Sequence, residues 1–442
     1  MLTGCICGVV ALVWAALLVR RAAAPLQTPL VVFIVFYVLT TAIGATVLAV
    51  PLVRDLWTAT YPTMDTAWIT PGDSWGYWFL VWGPLPVIAL AADWCYPRLR
   101  MPVLFVARLA QRQVDALPVV LVGAAMCGYC FVNLAAHGYL GVSLLNSELI
   151  GRYRENIQLR EEMYTVLGAV HYACIYMGIP ALAIVALCNT VRRRGLHWAL
   201  LFAALSAALV VLYAATLTKS NILIYGIGVV VAAYTLGVIR LRGLLIAALG
   251  GTVLLTGLSA LLSGSSPLDF AITGYNLLFR EASDVPFYLA VFPEQLPFVG
   301  IDLGLGQFGI GPTVPSNQVV ANFMFPHETW AQGAAPAAAP VMAYAQAGYP
   351  WAFATMLAMG VWVSVTGQLR RCGHNPIVFS AFIGAVTSCY YLSQGDFVGA
   401  FNVAYGYKWW LGALLLLLGA QRLLRAALQP QPGRVLERGH AA

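Results

Sequence analysis

The residues whose types could support chemistry are concentrated in three polar stretches of an otherwise apolar chain. One is SELIGRYRENIQLREEMYTVLG, another is the short TLTKSN, and the longest runs from Ser265 to Gly348. The basic candidates in these stretches are Arg152, Arg154, Arg160, Lys219 and Arg280. The candidates for proton transfer are Glu281, Asp284, His327 and Glu328.

The basic candidates favour a site for an anion such as phosphate. The planar guanidinium of arginine makes paired hydrogen bonds to phosphate oxygens. Lys219 lies between two apolar segments, where a charge is costly unless it snorkels, pairs or lines a cavity. Structural alternatives are local ion pairs between the arginines and neighbouring glutamates, and snorkelling of Lys219 to the membrane surface.

General base catalysis is the chemistry that the histidine and the carboxylates could supply. His327 directly precedes Glu328, and an imidazole beside a carboxylate can take a proton near neutral pH. Glu281 and Asp284 are further candidates, although both could instead form ion pairs with Arg280. We expect no metal, because the acidic residues show no ligand spacing, and no cofactor, because the chain contains no nucleotide-binding motif.

The composition indicates a protein built mostly from membrane-spanning helices. Of its 442 residues, 61% are hydrophobic and 9% are charged, and the mean hydropathy is +0.80. Soluble domains carry about 25% charged residues. We therefore predict an all-α polytopic membrane protein, and the net charge of +7 needs no nucleic acid to explain it.

Eleven transmembrane helices are predicted, with one long extracytoplasmic loop between spans 8 and 9. The spans lie near 3–19, 29–53, 75–94, 116–141, 166–188, 198–218, 222–239, 243–264, 349–369, 377–396 and 403–421. The chain thus divides into 1–264 with spans 1–8, the loop 265–348, 349–421 with spans 9–11, and a cytoplasmic tail 422–442.

The basic residues predict the orientation of these spans, because Lys and Arg accumulate in cytoplasmic loops. With the N-terminus outside, seven of the 24 fall on the outer side: Arg54, Arg152, Arg154, Arg160, Lys219, Arg280 and Lys408. Of the 17 acidic residues, only Asp93, Asp115 and Glu437 fall on the cytoplasmic side. The N-terminus and the long loop are then periplasmic, and the C-terminus is cytoplasmic.

Aromatic residues recur in and near the predicted outer loops. They could form interfacial belts, or flat platforms for sugar rings, whose C–H faces pack on aromatic faces. They are Trp57, Tyr61, Trp68, Trp75, Tyr153, Tyr275, Phe287, Tyr288, Trp330 and Tyr344.

Four segments together resemble a known family. They are ENIQLREEMYTVLGAVHY, TLTKSNILIYG, GYNLLFREASDVPFY and PVMAYAQAGYPWAF. In order and type they resemble segments of the Wzy-type oligosaccharide repeat-unit polymerases, which make O-antigen and exopolysaccharide. Leu217 and Thr218 stand where the family often has Gly-Ser before the basic residue. The family's acidic-Tyr-x-x-Phe-Gly pattern is reduced here to MAYAQAG at 342–348.

The resemblance implies a glycosyltransferase that polymerises undecaprenyl-pyrophosphate-linked oligosaccharide repeat units on the periplasmic face of the bacterial inner membrane. Lys219 and Arg280 would bind the pyrophosphate leaving group, with support from Arg152, Arg154 and Arg160. The base would be His327 or Glu328, with Glu281 and Asp284 behind them. The pyrophosphate linkage supplies the driving force, so no nucleotide is expected, and the basic side chains could neutralise the pyrophosphate in place of a metal.

The partners implied are a lipid-linked donor, a lipid-linked acceptor and membrane lipids, and a separate chain-length regulator is a further candidate. Two alternatives are kept open. One is an O-antigen ligase or other lipid-linked-sugar glycosyltransferase, which differs from the polymerase in its acceptor. The other is a transporter or flippase for a lipid-linked oligosaccharide, although no internal repeat of the kind that transporters often show is apparent.

Overall fold

The computed structural model describes most of the predicted membrane-spanning part of the chain. The described residues are 2–53, 55, 75–100, 102–103, 113–136, 166–215, 219–240, 242–243, 246, 250, 282–302, 311–312, 314–325, 335–393, 395–402 and 406–428. Helices dominate these residues, and no strand occurs among them.

The helices are numbered in chain order. The N-terminal half contains α1 (Leu2–Arg21), α2 (Ala24–Leu48), α3 (Trp75–Trp82), α4 (Pro84–Cys95), α5 (Ala116–Ala136), α6 (166–193), α7 (Leu196–Ala215) and α8 (Lys219–Thr235). The C-terminal half contains α9 (282–291), α10 (Ser316–Met324), α11 (339–346), α12 (349–371), α13 (Pro376–Leu392), α14 (Gly399–Asn402) and α15 (Tyr407–Leu428). A π-helical turn interrupts α2 at Val38–Ala42 and α6 at Cys174–Gly178.

The apolar helices make this a polytopic membrane protein, which confirms that part of the predicted fold class. Among the described residues, seven helical segments are long and apolar enough to cross a membrane. The number rises to eight if α3 and α4, which meet at an angle of 47°, are one span. Two shorter apolar helices lie at 224–235 and at Pro376–Leu392. The predicted span at 243–264 lies almost entirely outside the described residues, so the count of eleven stays a prediction.

Two hydrophobic cores hold the helices together. One contains buried side chains of α1 to α4 and of α9 to α12. The other contains buried side chains of α5 to α8 and of α15. Helix α13 contributes residues to both, since Ile383 lies in the second core and Leu392 in the first. The two cores therefore meet along α13.

Four of the arginines that the charge pattern places in the cytoplasm contact connections between helices: Arg192, Arg193, Arg370 and Arg425. Arg192 donates to the carbonyl oxygens of Gly373, at 2.7 Å, and of His374. Arg193 donates to the carbonyl of Val114 at 3.1 Å. Connections that are distant in sequence therefore meet at one end of the bundle.

Two further contacts belong to the same end. Arg370 donates to the carbonyl of Ala24 at 2.9 Å. The guanidinium of Arg425 forms an ion pair with Asp115 at 2.8 Å. We call this the arginine-rich end.

Candidate functional site

Helix α9, with which the described part of the long polar stretch begins, and the segment that follows it are hydrogen-bonded to α11 and to the segment just before α11. The hydroxyl of Tyr288, on α9, donates to the carbonyl of Ala335 at 2.8 Å. The hydroxyl of Tyr344, on α11, donates to the carbonyl of Phe292, also at 2.8 Å. The backbone at Val299 then runs beside α11 and donates to the carbonyl of Ala345 at 3.1 Å. These bonds fix α9 and the extended backbone after it to one helix.

Helix α11 ends in a break in the chain, and the last polar side chain before the break, that of Gln346, contacts neighbouring segments. Ala347 is non-helical, with φ −154° and ψ +29°, and Gly348 has φ +76° and ψ −167°, so the chain turns before α12 begins. Such a conformation is nearly restricted to glycine. Gln346 is the last residue before the break and is 4% exposed. Its carbonyl oxygen accepts from the backbone N–H of Gly300 at 3.1 Å.

The side-chain amide of Gln346 connects three segments of the chain. Its Nε2 donates to Oδ1 of Asp396 at 3.2 Å. Its Oε1 accepts from the indole N–H of Trp351 at 2.9 Å and from the backbone N–H of Asp302 at 3.4 Å. The amide thus joins the loop after α13, the start of α12 and the extended segment after α9.

Asp396 is a partly buried carboxylate at the start of a short helix. Its Oδ2 accepts from the backbone N–H of Gly399 at 3.0 Å, so it caps α14. Burial raises the pKa of this carboxyl, and the charge of Asp302 raises it further. The hydrogen bonds from Gly399, Gln346 and the backbone of Val398 act in the opposite direction. A carboxyl with a raised pKa can hold or release a proton closer to neutral pH than an exposed one.

Tyr288, on α9, interacts electrostatically with two carboxylates, those of Asp284 and Asp396. Its side chain is fully buried, and burial raises its pKa well above the ordinary tyrosine value. The charges of Asp284 and Asp396 raise the same pKa further, whereas a hydrogen bond with Ser316 lowers it. Asp284 is 4% exposed and accepts a hydrogen bond from the hydroxyl of Ser283 at 3.2 Å.

These residues form what we call the carboxylate network, which consists of Asp284, Tyr288, Asp302, Gln346 and Asp396. The network brings carboxylates from distant parts of the sequence together with groups that donate and accept hydrogen bonds. Such a set can accept or deliver a proton and can bind the hydroxyl groups of a polar substrate.

Of the candidates for proton transfer that the sequence suggests, the structure places Asp284 in this network. Lys219 is the first residue of α8, directly after a short interval that follows α7, as its position in the sequence predicts. The remaining candidates lie outside the described residues, and their assignments stay predictions: Arg152, Arg154, Arg160, Arg280, Glu281, His327 and Glu328.

Three of the aromatic residues suggested as sugar platforms are packed in the first hydrophobic core instead. Phe287 and Tyr288 are fully buried, and Tyr344 is 4% exposed. Because their faces are covered by protein, they present no open surface to a sugar. Trp75 is 76% exposed, so its ring can still serve in an interfacial belt or as a platform for a sugar.

Sequence reasoning did not identify Asp302, Gln346 or Asp396 as site residues. Two features of the sequence could have indicated Asp396 and Gln346. Asp396 lies in SQGDFVG at the predicted outer end of a span, where an acidic residue beside glycines suggests a cap. Gln346 is an isolated amide in the apolar run VMAYAQAGY, where a buried polar group requires partners.

The comparisons with known proteins return no relative. No family model, curated protein or solved structure matches the chain. Within the described residues, no group of three or more His, Cys, Asp or Glu side chains is arranged to hold a metal ion.

Proposed function

We propose that this protein is a glycosyltransferase that polymerises undecaprenyl-pyrophosphate-linked oligosaccharide repeat units on the periplasmic face of the bacterial inner membrane. The observation that carries the proposal is the carboxylate network, with Asp284 buried beside Tyr288. Glycosyl transfer from a lipid pyrophosphate requires a group that takes a proton from the acceptor hydroxyl. The network supplies carboxylates for that step.

The positions of the two ends of the bundle support a periplasmic site. Arg192 and Arg425 contact backbone and side chains at the arginine-rich end, which the positive-inside rule assigns to the cytoplasm. Helix α12 runs from the break beside Gln346 to Arg370 and Arg371, and the contact of Arg370 with Ala24 belongs to the arginine-rich end. The carboxylate network at the start of α12 therefore lies toward the opposite side of the membrane.

Among the four candidate bases, Asp284 is the one that the structure describes. It is 4% exposed and lies one helical turn before the buried Tyr288 on α9. Arg280 lies four residues before Asp284 in the sequence. We assign Arg280 and Lys219 to the developing negative charge on the pyrophosphate, with Arg152, Arg154 and Arg160 in support. No nucleotide is required, because the donor linkage already stores the free energy for transfer, and the basic side chains take the place of a metal at the pyrophosphate.

The proposal is tested with the purified protein in nanodiscs, mixed with undecaprenyl-pyrophosphate-linked oligosaccharide, chelator and no nucleotide. A gel that resolves glycan length should show a ladder at repeat-unit spacing. Asp284→Asn should slow ladder formation about 100-fold or more, the usual effect of losing a general base. Asp115→Asn is the matched control, because that aspartate lies at the arginine-rich end, and its ladder should be unchanged.

The other outcomes separate the alternatives. Transfer that occurs only after lipid A-core is added would make the protein a ligase instead. No new glycosidic bond with intact donor and either acceptor would overturn the glycosyltransferase proposal and favour the transporter. A wild-type ladder rate in Asp284→Asn would remove this residue from the mechanism, and His327, Glu328 and Glu281 would remain as the candidate bases.

A further inference from the structure

A groove of about 470 Å³ lies between α1 and the bent pair α3–α4. Its walls are almost entirely apolar and include Val10, Trp14, Trp75, Trp78, Phe79 and Trp82. Val10, Trp14 and Trp75 are 60%, 53% and 76% exposed, so the groove opens on the outer surface of the bundle, where membrane lipid would lie. Its volume is within the range of about 300 to 1,000 Å³ that is usual for small-molecule sites.

Two tryptophans of the groove, Trp78 and Trp82, are packed tightly against the helices around them. A Cβ atom at Gly4 would lie 2.2 Å from the indole of Trp78, and one at Gly8 would lie 2.8 Å from the indole of Trp82. Helix α1 can therefore approach α3 only because it carries glycine at both positions. The indole N–H of Trp82 also donates to the hydroxyl of Thr46 on α2 at 3.0 Å. A groove with fixed aromatic walls loses little conformational entropy when a ligand binds.

A line of packed aromatic rings connects the wall of the groove to the helix that carries Gln346. The ring of Phe79, in the groove wall, contacts that of Tyr349, with 6.2 Å between centroids. Tyr349 contacts Tyr344 at 4.7 Å between centroids. Tyr344 precedes Gln346 by two residues on α11, so the groove and the network share the junction between α11 and α12.

We propose that this groove binds the polyprenyl chain of the lipid-linked substrate and leads its head group toward the junction between α11 and α12. The inference rests on the proposed function. An apolar groove that faces lipid and adjoins a polar site matches a ligand with a long hydrocarbon chain and a charged head. A polyprenyl chain suits the aromatic walls better than a saturated acyl chain does. Its repeated double bonds leave fewer rotatable bonds to immobilise, and its methyl branches pack against the faces of the indoles.

The test uses the full-length protein in nanodiscs and a sugar-free polyprenyl phosphate that carries a photoreactive diazirine near the middle of its chain. After illumination and proteolysis, crosslinks should concentrate on peptides of α1 and α3. An excess of unlabelled polyprenyl phosphate should abolish them, whereas the same excess of phosphatidylglycerol should leave them unchanged. Equal competition by phosphatidylglycerol, or crosslinks spread evenly over the lipid-facing helices, would overturn the inference.

A matched pair of variants tests the position of the groove. Val10→Trp fills the groove and should reduce the crosslinks about tenfold, because added side-chain volume excludes the ligand. Val210→Trp adds the same bulk on α7, where the side chain is 49% exposed and away from the groove, and should leave the crosslinks unchanged. Equal crosslinking in the two variants would contradict the assignment.

The crosslinking assay needs no turnover, so it separates this inference from the proposed function. A glycan ladder without saturable crosslinks on α1 and α3 would overturn the groove assignment and leave the polymerase proposal intact. Saturable crosslinks there, with no ladder and no transfer to either acceptor, would support the groove as a polyprenyl site and overturn the glycosyltransferase.

Discussion

At the scale of single residues, the side-chain amide of Gln346 does what a carboxylate could not do in its place. Its N–H group donates to Asp396, while its oxygen accepts from Trp351 and from the backbone of Asp302. An amide carries both a donor and an acceptor, whereas an ionised carboxylate only accepts. The network therefore depends on an uncharged residue between two aspartates.

Gln346→Glu is expected to destabilise the folded protein, and more strongly as the pH rises. The substitution places a second carboxylate against Asp396, whose own pKa is already raised by burial. At low pH the pair can share a proton, so the cost is small, and at pH 8 both carboxylates are ionised. An unpaired buried charge costs about 3 kcal/mol or more. The thermal denaturation midpoint in detergent, measured at pH 5 and pH 8, gives the difference from the wild type.

Gln346→Met is the control for this prediction, because it loses the hydrogen bonds without adding a charge. Its deficit should change less between the two pH values. In the wild type the raised pKa of Asp396 acts in the same direction. The free energy of unfolding falls as the pH rises from the unfolded-state pKa of this carboxyl toward its folded-state pKa. A Gln346→Glu protein that is no less stable at pH 8 than at pH 5, relative to the wild type, would contradict the account.

The site was partly predictable at this scale. Asp284 was identified because it follows Arg280 and Glu281 in a polar stretch of an apolar chain. Gln346 and Asp396 were not identified, because their importance comes from a contact between residues 50 positions apart. Each stands alone in its local sequence, and neither matches a motif.

At the scale of the elements, hydropathy located the start of α12 but not the helix before it, α11. The sequence predicts a span that begins at residue 349, and the structure breaks the helix at Ala347 and Gly348. The helix before the break was predicted only as part of the loop. Its run of alanine, valine and methionine fits a buried helix outside the membrane as well as it fits a span.

Gly348→Ala is expected to destabilise the protein by about 1 to 3 kcal/mol. Gly348 has a positive φ that side chains other than glycine rarely adopt, and an added Cβ would lie 3.2 Å from the ring of Phe298. The substitution should also weaken the contacts of Gln346, because the break determines where that side chain lies. Thermal denaturation in detergent measures the first effect, and the rate of glycan ladder formation measures the second.

The matched control for this element is Gly412→Ala on α15. An added Cβ there has no atom within 4 Å, and alanine is favoured over glycine inside a helix. Its denaturation midpoint should equal or slightly exceed that of the wild type. If Gly348→Ala were as stable as Gly412→Ala, the break would not require glycine.

At the scale of the whole molecule, the charge pattern predicted which connections meet at one end of the bundle. Arg192, Arg370 and Arg425 were assigned to one side by counting alone, and each contacts another connection assigned to that side. The number of spans is harder to predict, because a span can be bent, as α3–α4 is, or short, as α13 is. Neither case is distinguishable from a buried helix by length and hydropathy alone.

Single-cysteine labelling should place the two ends of the bundle in different compartments. All nine native cysteines are free, so they can be replaced by serine or alanine and restored one at a time. Cys372 ends α12 beside Gly373, which Arg192 contacts. Restored alone, Cys372 should react with a membrane-impermeant maleimide in inside-out vesicles and not in right-side-out vesicles.

Leu296→Cys, at a position 40% exposed after α9, should show the opposite preference, since the positive-inside rule assigns the two ends to opposite sides. Cys389, which is fully buried in α13, should react from neither side until the protein is denatured. Labelling of Cys372 and Leu296→Cys from the same side would contradict the separation of the two ends, and an exchange of their sides would place the carboxylate network in the cytoplasm.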